Sequence, residues 1–238
     1  MIPDISIYGH MTIDTIFDDE KIYEFGGISN VWRALKKTNP NLIINLEPIH
    51  YGEAIIYIDK ANSKRYSDAV LNMKTFEPKI FESSINHILY LNEFNDASFI
   101  QSIKGLNIAD TCKGRELSDL QLENIDILLS ADEDLNIISK AVENFDGIFI
   151  LHSPLGCEIK YKEYNFSYRL EEEYFLSNIN VLGAGDIYAA FLINKIHKNK
   201  IHKLNNKFEI YENIIRMIDL VHIETSQYLD SVEIFNEL

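Results

Sequence analysis

Residues 180–191 read Asn-Val-Leu-Gly-Ala-Gly-Asp-Ile-Tyr-Ala-Ala-Phe. Gly183-Ala184-Gly185-Asp186 sets a carboxylate directly behind a glycine turn, just where apolar residues take up helical spacing. A dinucleotide fingerprint would need a third glycine where Tyr188 stands, and it belongs in a first strand-helix-strand unit, not this late in a chain. The charge argues against it too, because a bare aspartate beside a helix N-terminus repels a resting pyrophosphate. Two uses of Asp186 stay open on the residues alone. It caps the helix and interacts well with its dipole. Alternatively, glycine N–H groups at a helix N-terminus approach a transferring phosphoryl group while the adjacent aspartate takes a proton from the attacking hydroxyl.

The remaining candidates are scattered. Asp14 closes a first strand, where its carboxylate could hold hydroxyls or a turn, and Gly26-Gly27 reads as a turn ahead of Asn30. Glu133 lies in the acidic run Asp132-Glu133-Asp134. Ser153 and Gly156 flank a proline-containing turn, and Lys113 and Arg115 follow a strand end, where open α/β sheets bind ligands. His10 and His152 have no spacing that links them as metal ligands. Trp32 reads as core beside Val31 and Leu35, and the basic stretch 195–203 reads as a solvated helix end.

The elements that must position these groups alternate. Strands are expected at Ile5–Tyr8, Leu42–Leu46, Glu53–Asp59, His87–Leu91, Gly105–Ala109, Ile125–Leu129 and Gly147–Leu151, and a hairpin over Glu158–Leu170. Helices are expected from Asn30 to a stop near Asn39-Pro40, over 96–103, over 132–144 and after the glycine motif. Asn62-Ser63 reads as a turn. Short apolar strands separated by helices imply a mostly parallel sheet covered on both faces, a three-layer α/β/α sandwich.

Composition narrows the partners. The chain has 238 residues, 46% hydrophobic and 25% charged, and a formal net charge of −15. A chain this acidic does not offer nucleic acid a broad basic surface. Two cysteines outside any C-x-x-C pair give neither a disulfide framework nor a cysteine zinc site, as suits a reducing cytoplasm. The N-terminus lacks a basic n-region, and no apolar run approaches the roughly 20 residues that span a bilayer, so no membrane partner is expected.

Taken in order, these motifs resemble the PfkB/ribokinase family of sugar and nucleoside kinases. Gly183 to Phe191 is similar to that family's C-terminal signature. Residues 7–16 resemble its first strand with the substrate aspartate, here Asp14, and residues 25–31 resemble its substrate-contacting Gly-Gly segment, here Gly26, Gly27 and Asn30. Residues 53–59 resemble the strand that follows its lid. Residues 125–134 fall where the family has an N-x-x-E motif, and 150–157 where a nucleotide turn lies, here Ser153 and Gly156.

The resemblance implies a single ribokinase-like domain, with a reduced lid within about 15–70, that moves the γ-phosphoryl group of ATP to a hydroxyl of a small sugar or nucleoside. Asp186 would be the base and Gly183, Ala184 and Gly185 the anion hole. Glu133 would act on Mg²⁺ through water. The departures are Asn180-Val181-Leu182 for the usual lead into the glycines, Ser130 for the motif asparagine and Ser153 for a glycine. The first argues against monovalent-cation activation. Together they keep open a non-catalytic binder of the same fold. The stretch between Gly27 and Glu53 is short for the family, so the substrate side stays open or is completed by a second copy in a homodimer.

Overall fold

The first strand, β1 (Ile5–Phe17), organises the molecule. In a computed structural model that describes residues 2–17, 21–59, 64–67, 71–175 and 183–231, its first half is buried on both faces and its second half leaves the core. Residues 5–8 pair in parallel with β6 (Ile85–Ile88), and the whole of β1 pairs in parallel with β3 (Ile44–Asp59), with a register shift between Gly9 and His10. From β6 the parallel sheet continues through β7 (Leu106–Asp110), β8 (Ile127–Ala131) and β9 (Ile148–Ser153). It ends in the antiparallel strands β10 (Gly156–Tyr161) and β11 (Tyr164–Arg169), the expected hairpin.

Alternate residues of each core strand enter opposite cores, as the pleat requires. Ile5, Ile7, Ile108, Leu129 and Ile150 meet α1 (Ile28–Thr38), α4 (Ala184–Lys198) and α5 (Lys207–Ser231). Tyr8, Ala109, Leu128 and Phe149 face the other way, toward α2 (Asp119–Leu122), α3 (Leu135–Val142) and short 3-10 turns at 91–93 and 98–102. This is the three-layer α/β/α sandwich with a mostly parallel central sheet.

Beyond the bulge, residues 11–17 of β1 pair with β2 (Lys21–Gly27), and β3 runs on to pair with β4 (Lys64–Ser67) and β5 (Leu71–Thr75). These strands form an extension past the parallel core. One strand of 16 residues replaces the two expected at 42–46 and 53–59, so the short stretch after Gly27 holds one helix and one long strand. The expected turn at Asn62-Ser63 lies outside the described residues.

α1 buries Ile28, Val31, Ala34 and Leu35, and its last turn ends before Pro40. By spacing Trp32 stands four residues after Ile28, beside that stripe, yet it does not share its burial. Trp32 is 37% exposed, which corrects its expected place in the core.

Candidate functional site

The C-terminal ends of β6, β7, β8 and β9 reach one edge of the sheet, and the N-terminus of α4 arrives there from sequence far away. Gly183 caps α4 with φ +70, a left-handed conformation that glycine takes without a Cβ penalty. A Cβ there would also stand 3.0 Å from Asn30 Nδ2. Asp186, in the first turn of α4, is buried at 3% exposure. Asn30 Nδ2 donates to its Oδ2 at 2.8 Å, and the Tyr90 hydroxyl donates to its Oδ1 at 3.1 Å. The structure thus joins Gly183, Asn30 and Asp186.

Asn30 does not stand alone. Arg33, one turn along α1, donates to Asn30 Oδ1 at 2.6 Å and to the Phe25 carbonyl at 2.8 Å. A guanidinium has no acceptor, so Arg33 fixes the amide orientation that points Nδ2 at Asp186. Arg33 also lies 3.9 Å from Glu24, which pairs with Asp14 across β1 and β2. Burial raises the Glu24 carboxyl above its ordinary range, Arg33 lowers it, and the nearby Asp14 charge raises it again.

Asp14 is buried at 7% exposure inside the extension. A Cβ on Gly26 would stand 2.1 Å from its Oδ2, so the missing side chain leaves the room this carboxylate occupies. Gly27 has φ +61, precedes α1, and would set a Cβ 2.1 Å from the His10 carbonyl. Asp14, Gly26, Gly27 and Asn30 are therefore linked by packing or hydrogen bonds, and Glu24 and Arg33 connect Asp14 toward Asp186.

The other side of the edge is less tightly built. Ala184 is half-buried and Gly185 is exposed; among the described residues a Cβ on Gly185 would meet nothing nearer than His152 Cε1 at 3.8 Å. Ser153 closes the β9–β10 turn, its hydroxyl on the Gly156 carbonyl at 3.2 Å and accepting from Leu155 N at 3.2 Å. A Cβ on Gly156 would stand 2.0 Å from the Tyr168 carbonyl, so this glycine is needed for the close approach of β11. Glu133 is exposed on a 3-10 turn after β8. Its neighbour Asp134 is the buried acid of the run, at 3% exposure, with no hydrogen-bond partner for Oδ1 among the described residues. Burial chiefly, and the Glu133 charge next, push its carboxyl up to about 6, against the pull of Lys113. Ser130 is turned inward, accepting from Thr111 Oγ1 at 2.9 Å. Asn180, Val181 and Leu182 lie outside the described residues. Among the described residues, no group of three or more His, Cys, Asp or Glu side chains is arranged to hold a metal.

Sequence reasoning missed Tyr90, Asp110, Arg33, Glu24 and Asp134. Tyr90 sits in the left-handed region at φ 59, and its N–H donates to Asp110 Oδ1 at 2.6 Å. His10 and His50 form a buried pair, with His50 Nδ1 and His10 Nε2 3.0 Å apart, packed against Phe94. Burial lowers His10 to about 3, helped by the charges of His50 and Arg115. The basic stretch begins as the end of α4, where Lys195 pairs with Glu224 of α5 at 2.5 Å.

No protein-family model matches the chain, and no curated protein matches it. Solved structures do match in shape. An uncharacterized sugar kinase from Pyrococcus horikoshii superposes with a TM-score of 0.68 at 13% identity, over 96% of this chain and 92% of that one. A nucleoside kinase from Methanocaldococcus jannaschii, an archaeal member of the ribokinase family, gives a TM-score of 0.64 at 17% identity, over 96% and 92%. A ribokinase from Arabidopsis thaliana complexed with ribose and ATP gives 0.57 at 12% identity, over 98% and 100%. The chain has the ribokinase fold.

Proposed function

We propose that this protein is a small-molecule kinase that moves the γ-phosphoryl group of ATP to a hydroxyl of a sugar or nucleoside. The observation that carries the reading is Asp186, a buried carboxylate at the N-terminus of α4 with hydrogen-bond donors on both oxygens and a glycine turn beside it. Such a carboxylate is held in one place, where it can take the proton of an acceptor hydroxyl.

The residues fit a nucleotide phosphate. Among the described residues only His152 approaches the space over Gly185, and the first N–H groups of a helix have no partners within it. Bound ATP would supply the phosphoryl group and Mg²⁺ would neutralise charge on its oxygens. Within the chain, Gly183, Ala184 and Gly185 offer N–H groups to that charge, and Asp186 accepts the proton of the attacking hydroxyl. Glu133 would act on magnesium through water, and Asp134 Oδ1 beside it, with no partner among the described residues, is a second oxygen suited to that task. Ser153 and Gly156 shape the turn beneath the nucleotide, and no monovalent cation is required. Asp14, with Gly26, Gly27 and Asn30, holds the acceptor. Since Asp14 and Glu24 both bring carboxylates to that side, an uncharged polyhydroxy acceptor fits better than a sugar phosphate.

The strand extension is the lid. Its outer face exposes Phe17, Tyr23, Phe25 and Tyr57, with Phe17 and Tyr57 stacked at 5.2 Å, and a second copy of the chain covers it.

A second reading, a binder without catalysis, is favoured by the inward hydroxyl of Ser130, which offers nothing to a metal or phosphate. One experiment separates the two. ADP formation with Mg-ATP is followed over pentoses, hexoses, amino sugars and nucleosides, with Asp186→Asn alongside. Turnover on one acceptor, lost in the variant, supports the kinase. Saturable ATP binding without ADP release on any acceptor supports the binder, and full turnover by Asp186→Asn overturns the base.

A further inference from the structure

Tyr90 has an unusual backbone and an unusual partner. It follows β6, where the next residue of a strand would stay extended, yet it takes φ 59 and ψ 53. Side chains with a Cβ avoid this region, and glycine or asparagine would occupy it more easily. Two contacts compensate. The Asp110 carboxylate takes the Tyr90 N–H at 2.6 Å, a charge-assisted bond, and the phenol reaches Asp186 Oδ1 at 3.1 Å. Asp110 is itself buried at 6% exposure, its other oxygen 3.5 Å from His87 Nε2 in the neighbouring strand. The left-handed turn redirects the ring toward the α4 N-terminus, where the tyrosine meets the base.

We propose that Tyr90 is a positioning residue for Asp186, set in place by Asp110, so that the phenol fixes the carboxylate and favours its ionised form. This rests on the reading of Asp186 as the base. The phenol opposes Asn30, which takes the other oxygen, and the two donors together leave the carboxylate one orientation. Among the described residues, the Tyr90 phenol touches Asp186, Cys112 lies within charge range of Asp186, Asp110 and Asp134, and Arg33 acts on Asp186 through Asn30. Removing the phenol alone leaves every charge in that set unchanged.

Tyr90→Phe keeps the ring and removes the hydroxyl. The Asp186 carboxyl carbon, assigned by its absence from the Asp186→Asn spectrum, is titrated by carbon-13 NMR in both proteins, without substrate. The expected result is a midpoint at higher pH in Tyr90→Phe, because a donor to the charged form is gone. With the acceptor identified by turnover, kcat falls about ten-fold while both KM values change less than about two-fold, and the fall is steepest at low pH. Asp110→Asn, whose amide oxygen still accepts the Tyr90 N–H, moves both readouts the same way by less. An unchanged Asp186 titration in a folded Tyr90→Phe protein overturns the proposal. Full turnover by Asp186→Asn overturns the base reading instead, and the NMR titration still decides whether the phenol acts on Asp186.

Discussion

Two adjacent glycines separate a site effect from a folding effect. At Gly27 the backbone has φ 61 and ψ −125, a region closed to residues with a side chain, and an added Cβ would stand 2.1 Å from the His10 carbonyl. That carbonyl belongs to β1 just past the bulge, so relief requires moving the sheet. Strain of this kind costs about 1–3 kcal/mol. Overpacking against backbone adds roughly the same. Gly27→Ala is thus expected to lose about 3 kcal/mol or more, a fall in Tm of roughly 6–12 °C for a chain of this size. At Gly26 the atoms nearest an added Cβ belong to two side chains, Asp14 with Oδ2 at 2.1 Å and Cγ at 2.8 Å, and Thr12 with Oγ1 at 2.7 Å. Both can rotate away, so Gly26→Ala should stay within about 1 kcal/mol of the parent in stability. What it displaces is the carboxylate proposed to hold the acceptor. Losing a charged hydrogen bond there costs roughly 1.5–3 kcal/mol, so acceptor KM rises about 10- to 100-fold with ATP KM unchanged. Thermal unfolding and initial-rate kinetics on the two variants read both effects. Normal acceptor KM in Gly26→Ala would refute the role given to Asp14, and an unchanged Tm in Gly27→Ala would refute the reasoning from its backbone.

Acid should loosen the fold through its buried histidines. Burial lowers His10 and His152 to about 3 and His222 to about 4 from an unfolded value near 6.5, so their stabilising contribution is complete above 6.5 and is lost as pH falls toward the folded values. Between pH 7 and pH 5 each costs about 2 kcal/mol, because the unfolded chain binds the proton first. Asp134, pushed up to about 6, works in the opposite sense and offsets about 1 kcal/mol. Urea unfolding at the two pH values should show a net loss that is smaller by about 2 kcal/mol in His222→Phe; stability flat or rising toward pH 5 would contradict the assignment of these histidines as buried and neutral. For the lid face, Tyr57→Glu should lower the molar mass seen by light scattering from dimer to monomer, and a parent protein that is already monomeric would remove the second copy from the reading.

The sequence made the parallel core legible because its strands are short apolar runs between helices, and burial on both faces of a sheet leaves that pattern. Gly183 to Asp186 was legible for a similar reason: a left-handed cap, an open turn and a helix start each demand particular residue types within a few positions. Tyr90 gave no such signal. Its role depends on a backbone turn held by Asp110, 20 residues later, and on a helix that arrives from the other end of the chain. In the acidic run, Glu133 and Asp134 are equivalent by type, and only the 3-10 turn decides that the second is buried. Trp32 misled because Val31 and Leu35 beside it, and Ile28 one turn before it, suggest a core, while the fold covers those positions and leaves the indole 37% exposed.

The placement of these residues has a mechanical consequence. The ten residues from Glu24 to Arg33 carry the end of β2, both glycines and the first turns of α1. Within this segment Glu24 faces Asp14, Gly26 makes room for it, Gly27 abuts β1, Asn30 donates to Asp186, and Arg33 returns to the Phe25 carbonyl. The bond from Arg33 to Phe25 ties the extension to the same guanidinium that orients the Asn30 amide. A shift of β2 relative to the core therefore acts on the donor that sets Asp186, with no intervening loop to absorb it. The geometry around Asp14 and that around Asp186 are linked through one short, stiff piece of chain. For that reason a substitution at Gly26 that changes acceptor binding alone, with the Asn30–Asp186 bond intact, requires the carboxylate of Asp14 to move while β2 stays still.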